Sequence, residues 1–179
     1  MPADQRPTYP VLGFRDRKQD GRLPVDGPDG QPVAFITTHS SSSFEVVDSD
    51  GGQLCTGSAR LRGFSQHREA LDPTGARLVE YRARWRKETA TLADGRSFTI
   101  TGKWLGGDWQ AAGDAGTVAL SSTAGPGRGA FHPDDWLVTV HDPTLTMAEV
   151  VAVVELHRLA VQSTRAATFT AAGTVAVTG

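Results

Sequence analysis

The chain has 179 residues, a formal net charge of −2, 39 % hydrophobic and 21 % charged residues, and one cysteine, Cys55. That balance excludes an overall basic nucleic-acid binder, and a single cysteine excludes an internal disulfide framework or a cysteine-built zinc site. Gly and Pro contribute 20 and 10 residues, a share above the ordinary ~12 %, so many turns are expected in a chain long enough to bury its own core.

The first residues, MPADQRPTYP, mix acid and base without an apolar segment, which is not the pattern of a secretory signal. No stretch reaches the ~20 apolar residues of a membrane-spanning helix, so a cytoplasmic location is the default expectation. Arg outnumbers Lys 15 to 3, a bias expected of a GC-rich bacterial genome. Charge is uneven: residues 32–59 hold three acids and no Lys or Arg, whereas residues 60–88 hold eight bases and four acids. One basic zone sits in a mildly acidic chain.

In chain order, residues 1–31 are rich in Pro, Asp, Arg and Gly and lack sustained periodicity. They read as an N-terminal arm or loops, with one short strand at Val11 to Phe14. His39-Ser-Ser-Ser-Ser43 reads as a polar loop or edge. From residue 32 turn signals recur: Asp50-Gly51-Gly52, Asp72-Pro-Thr-Gly75, Asp94-Gly95, Gly106-Gly107-Asp108 and Gly113-Asp114-Ala-Gly116. The segments between them alternate with period two. In 77–86, Val79, Tyr81, Ala83 and Trp85 oppose Glu80, Arg82, Arg84 and Arg86. In 97–104, Phe98, Ile100, Gly102 and Trp104 oppose Ser97, Thr99, Thr101 and Lys103. In 136–141, Trp136, Val138 and Val140 oppose Leu137, Thr139 and His141. Successive side chains of a strand point to opposite faces, so each run predicts a half-buried antiparallel strand, and the series predicts a sandwich or barrel.

Met147 to Val161 breaks the pattern. It contains no Gly or Pro and is too long for an ordinary strand, so a helix is expected at about 146–161. Thr146 with Glu149 forms a Thr-x-x-Glu capping box. At 100° per residue its apolar positions fall all round the wheel, and Glu149, Glu155, His157 and Arg158 form no stripe. A helix apolar on every side must be buried. An all-β shell with one such helix predicts a closed barrel threaded by it, which also removes exposed sheet edges. Residues 164–179 read as a C-terminal tail, either an added edge strand or disordered.

The order of these elements is the Asp48–Gly52 turn, Leu71-Asp-Pro-Thr-Gly-Ala-Arg-Leu78, the basic strand at 81–87, Thr101-Gly-Lys-Trp104, Asp134-Asp-Trp-Leu-Val-Thr-Val140 and a late Val/Leu-rich helix. It resembles the LURF-one-related family of the tubby C-terminal-like superfamily, which also includes the phospholipid scramblases. The resemblance covers about residues 32–163. It implies a barrel of about 12 antiparallel strands around a hydrophobic C-terminal helix. Family members commonly carry Tyr where Trp136 stands. Tubby-type relatives are associated with phosphoinositide headgroups, and scramblase-type relatives with membranes and calcium through a membrane-anchoring helix. Glu149, Glu155 and Arg158 argue against that use of this helix.

Arg82, Arg84 and Arg86, about 7 Å apart by strand rise, form the sharpest candidate site. Forked guanidiniums suit phosphate or an anionic lipid headgroup, and Lys87 and Arg77 extend the row; the alternative is a solvated outer strand face. His132-Pro-Asp-Asp135 with His141-Asp142 lacks any recognised metal-ligand spacing and reads as loop and strand-end polarity. Asp48-Ser-Asp-Gly-Gly52 lacks the later ligands of a calcium loop and reads as a hairpin turn. Cys55, on a predicted strand at Gln53 to Thr56, has no catalytic signature around it. Gly125-Pro-Gly-Arg-Gly129 is no phosphate loop, because no Gly-Lys-Ser/Thr follows. Glu155, His157 and Arg158 are expected either at protruding helix ends or in a polar network holding the helix in register. No nucleophile set, acid/base pair or metal cluster stands at usable spacing, and no cofactor is implied. The expectation is a non-enzymatic binding or scaffolding domain for anionic headgroups or phosphate. The alternative is a protein–protein interaction module using the N-terminal arm or the C-terminal tail.

Overall fold

The computed structural model describes residues 9–62, 65–84, 87–102, 108–126 and 133–174, with side chains described outside 60–66 and 168–174. Trp85, Arg86, Lys103, Trp104, Gly106, Gly107, Gly127 to Gly129 and His132 therefore lie outside the described residues.

Alternating short segments joined by Asp/Gly turns become strands of one antiparallel sheet. The first six are β1 (Val11–Phe14), β2 (Leu23–Asp26), β3 (Pro32–Ser40), β4 (Ser43–Asp48), β5 (Gln53–Arg62) and β6 (Ser65–Leu71). The other six are β7 (Arg77–Arg84), β8 (Lys87–Leu92), β9 (Ser97–Gly102), β10 (Trp109–Gly113), β11 (Val118–Ala124) and β12 (Trp136–Val140). Each strand pairs with its chain neighbours, and β1 pairs with β12 to close a barrel. In the closing pair Leu12 stands opposite Val138 and Phe14 opposite Trp136.

The turns follow from their residues. Asp72 Oδ1 accepts the Thr74 and Ala76 backbone amides at 2.9 Å, and Gly75 takes φ 84°, a conformation that costs glycine little. The β8–β9 turn repeats this device with Asp94 and Gly95. At β5 a glycine serves packing instead. A Cβ on Gly57 would fall into the ring of the opposed Phe44, so the bare backbone makes room for the aromatic.

The helix α1 spans Met147–Thr174. Its cap forms as the sequence predicts: the Thr146 amide donates to Glu149 Oε2 at 2.7 Å, and the Glu149 amide donates to Thr146 Oγ1 at 3.3 Å. Every residue from Met147 to Val161 is buried, in one cluster with the inward residues of the strands, among them Leu12, Val46, Tyr81, Ile100 and Val138. A helix dry on all sides against a single closed sheet lies in the lumen of that sheet. This segment runs about 21 Å at 1.5 Å per residue. The β-branched valines lower its intrinsic helix propensity. Burial of each, worth roughly 1.5–3 kcal/mol, holds it helical.

Two expectations are corrected. Residues 11–26 are not an arm: Val11–Phe14 is a strand as expected, Leu23–Asp26 adds a second, and their backbone groups complete the ladder between β12 and β3. The closing strand must find its partners somewhere, and only this segment remains to do so. The helix also does not end at about 161. It continues through the alanine-rich stretch to Thr174, with Ser163 and Thr164 donating back to the carbonyls of Leu159 and Ala160 at 2.8 and 3.0 Å. Residues 164–174 are neither edge strand nor irregular tail. Among the described residues, no helix is long and apolar enough to cross a membrane.

Candidate functional site

On β7, Val79 and Tyr81 face the lumen while Glu80, Arg82 and Arg84 face outward, so the basic row lies on the outer wall as alternation predicts. The row is not uniform. Glu80 takes Arg82 at 2.6 Å, the His67 ring of β6 at 2.6 Å and Arg77 at 3.5 Å. The His67 hydrogen bond leads in holding the Glu80 carboxyl below its usual range, against a burial penalty and with help from Arg82. Glu80 thereby offsets part of the charge of Arg82 and Arg77. Arg86 lies outside the described residues. Arg84 and Lys87 stand directly opposite each other in the β7–β8 register. Both are exposed, and neither makes an ion pair with a described residue. Like charges opposed across paired strands are unfavourable, so this hairpin end carries unspent positive charge.

The inward face of the same hairpin is different in kind. Glu88, which alternation with Ala90 and Leu92 puts on the inner side, turns away from Lys87 and into the barrel. Tyr81 Oη donates to Glu88 Oε2 at 2.5 Å, and His157 Nδ1 lies 2.9 Å from Tyr81 Oη and 3.0 Å from Glu88 Oε2. Burial tends to raise the Glu88 carboxyl, but the hydrogen bonds and charges of His157, Tyr81 and Arg68 hold it below its usual range. Burial, with Glu88 beside it, pushes the Tyr81 phenol well up. The His157 ring packs against Trp109 and Trp136, with centroids 4.9 and 5.7 Å away. Arg68 donates to the Leu159 carbonyl and to Ser163 Oγ at 3.3 and 3.0 Å.

Lower in the same lumen Arg158 grips Glu155 through Nε at 2.8 Å and through Nη2, and reaches the Arg15 carbonyl at 3.1 Å. The polar residues of the helix therefore form a network that fixes its depth and rotation. Protruding helix ends do not explain Glu155, His157 and Arg158, all of which are buried.

Other sequence candidates are dispersed. Asp48 Oδ1 accepts the amides of Asp50 and Gly52 at 3.0 and 2.7 Å, the work of a turn. His141 Nε2 lies 2.8 Å from Ser121 Oγ, and Asp142 pairs with Arg96 at 3.0 Å. Asp134 and Asp135 face the helix-exit end, where Arg165 meets Asp134 at 2.8 Å. No group of three His, Cys, Asp or Glu residues suited to a metal occurs among the described residues. Cys55 is fully buried, and burial with nearby Glu155 pushes its thiol up to about 12, far from a nucleophile.

One feature of the surface escapes sequence reasoning. The β1–β2 connection folds beside β2 and β3 to make a groove of about 550 Å³ whose lining includes Arg15, Arg17, Lys18, Asp26 and Asp135. Arg15 is held by Asp26 at 2.6 Å, whereas Arg17 and Lys18 are exposed and make no ion pair with a described residue. The available signal was the run Arg15-Asp-Arg-Lys18, but nothing local says that this segment belongs to the wall.

No protein-family model matches the chain, and no curated protein matches it. Its fold is similar to the crystal structure of a protein from Arabidopsis thaliana, with a TM-score of 0.58 at 18 % identity, covering 92 % of this chain and 96 % of that one. At that identity the likeness concerns the fold alone.

Proposed function

We propose that the barrel is a non-enzymatic binding domain that engages anionic lipid headgroups or other phosphate groups through the outer end of the β7–β8 hairpin. The observation that carries this reading is the opposed Arg84–Lys87 pair, exposed and without an ion pair to a described residue, while Arg82 beside it is paired with Glu80. Two cations held side by side at a hairpin end provide forked and point-charge donors for one phosphate. The resemblance of the strand order and the late helix to the LURF-one-related family supports the same reading, since tubby-type relatives are associated with phosphoinositide headgroups. The wall and the plugged lumen act as a rigid mount for the hairpin, at the face of a membrane in the cytoplasm.

The test is flotation of the purified protein with vesicles of phosphatidylcholine alone and with added phosphatidylserine or phosphoinositide, plus an arm with inorganic phosphate as competitor. A basic residue near an anionic membrane contributes about 1 kcal/mol, so Arg84→Ala with Lys87→Ala should weaken flotation about thirtyfold. Wild-type protein should detach as salt rises. Competition by millimolar phosphate would assign the site to free phosphate. Flotation insensitive to both substitutions and to salt would sink the proposal.

A further inference from the structure

A carboxylate stands beside the two exposed cations of the β7–β8 hairpin and pairs with neither. Glu88 follows Lys87 in the chain, one step further into the ladder than the Arg84–Lys87 pair. Its carboxyl is held below the usual range, so at neutral pH it is an anion. Glutamate and lysine side chains near a strand end are long enough to lean past it and meet. Here Lys87 stays exposed, and Glu88 makes its ion pair with His157 instead.

Strand alternation turns Glu88 toward the lumen with Ala90 and Leu92, but alternation alone does not hold a charge there. The ladder neighbours of Glu88 are Ala83 and Ile100, whose side chains offer no donor. The Glu88 side chain is 26 % exposed against 8 % for His157, so it lies at the border of lumen and solvent. A carboxylate at that border returns to water unless donors replace its hydration. Two side chains supply them. Tyr81 Oη on β7 donates at 2.5 Å, and His157 Nδ1 on α1 lies at 3.0 Å. These two also meet each other at 2.9 Å, and Trp109 and Trp136 pack on the His157 ring. Arg68 on β6 adds its charge from a distance, while its own Nη2 serves the Leu159 carbonyl and Ser163.

We infer that the Tyr81–His157 clasp withholds Glu88 from the hairpin end, which makes His157 a positioning residue for anion binding by Arg84 and Lys87. This rests on the reading of that hairpin as an anion site and adds how its charge is kept available. Without the clasp the carboxylate leans out to Lys87, becomes its counter-ion and competes with a phosphate for the same donors. The central helix thus acts on the outer site through one buried side chain, with no contact of its own to the ligand.

The test is flotation on phosphatidylserine vesicles of the wild type, His157→Phe, Glu88→Gln and the double variant, with a melting curve for each to show that it is folded. Phenylalanine keeps a ring against the two tryptophans and removes the nitrogen. His157→Phe should weaken flotation about fivefold, the worth of one cation at an anionic surface. Glu88→Gln has no anion to release and should float at least as well as the wild type. The double variant should match Glu88→Gln, recovering the loss although the clasp is still broken. Tyr81→Phe removes the other hydrogen bond at nearly constant volume. It should weaken flotation in the same direction, again with recovery by Glu88→Gln, and it carries the test if His157→Phe does not fold. Unchanged flotation of the folded clasp variants, the result if Arg68 keeps the carboxylate inside, overturns the inference and leaves the anion site standing. A loss that Glu88→Gln does not restore marks a role in packing alone and overturns it too. Absence of wild-type flotation overturns the anion-site reading, and the inference with it.

Discussion

Replacing Arg158 by methionine removes one half of a charge pair that has no access to water. The side chains of Glu155 and Arg158 are 2 % and 1 % exposed. Methionine fills much of the aliphatic volume but leaves the Glu155 carboxylate in the lumen without its cation, and the Arg15 carbonyl without its donor at 3.1 Å. Breaking a buried pair from one side costs about 3–5 kcal/mol. A domain of this size has about 5–15 kcal/mol in total. At roughly 2–4 °C per kcal/mol, the melting temperature should fall by about 6–20 °C. Glu155→Leu combined with Arg158→Met removes both charges and should return most of that loss, because an apolar replacement of the whole pair is often neutral or stabilising. Urea unfolding of the wild type, both single variants and the double variant closes the cycle. If Arg158→Met costs under about 1 kcal/mol, or if the double variant is as unstable as the single, the lumen does not hold these charges as described.

Further predictions follow from the same interior. Glu88 has a carboxyl held below its usual range, so its contribution to stability is present above the unfolded-chain value near 4.5 and is lost as the pH falls through the lowered folded value. A melt series from pH 6 to pH 3 should show that loss, and Glu88→Gln should reduce its slope. Cys55 should resist a thiol reagent at pH 8 in the native protein and react fully in denaturant; rapid native labelling would contradict its burial. Gly57→Ala should destabilise by about 1–3 kcal/mol in urea unfolding, the usual cost of overpacking, because its methyl meets the Phe44 ring.

Much of the wall was legible because its signals are local. Asp72 with Gly75, and Asp94 with Gly95, specify turns through their own backbone bonds. Val79 and Tyr81 announce their face by alternation. The helix was legible for the opposite reason, since its lack of a polar stripe leaves it no exposed side. What could not be read depends on partners far away in sequence. Val11–Phe14 is legible as a short strand, but its place in the wall is not; Leu23–Asp26 is a four-residue strand containing Pro24, and only the gap between β12 and β3 recruits the two. The end of the helix is not legible because its apolar run stops at Val161, where full burial stops, while the helical backbone continues to Thr174. The basic row is uniform in sequence because its pairing depends on cross-strand geometry, which joins Glu80 to His67 and Arg82. Arg17 and Lys18 gain meaning only once their segment joins the wall and they line the groove beside β2 and β3.

Native-state hydrogen exchange of the helix amides tests the architecture most directly. With Val150 to Leu159 enclosed by a closed sheet, those amides should exchange only through global unfolding, with the same free energy and denaturant dependence as the wall strand β7. Exchange of the helix by a separate, lower-energy opening while β7 stays protected would place it outside the barrel and contradict the account.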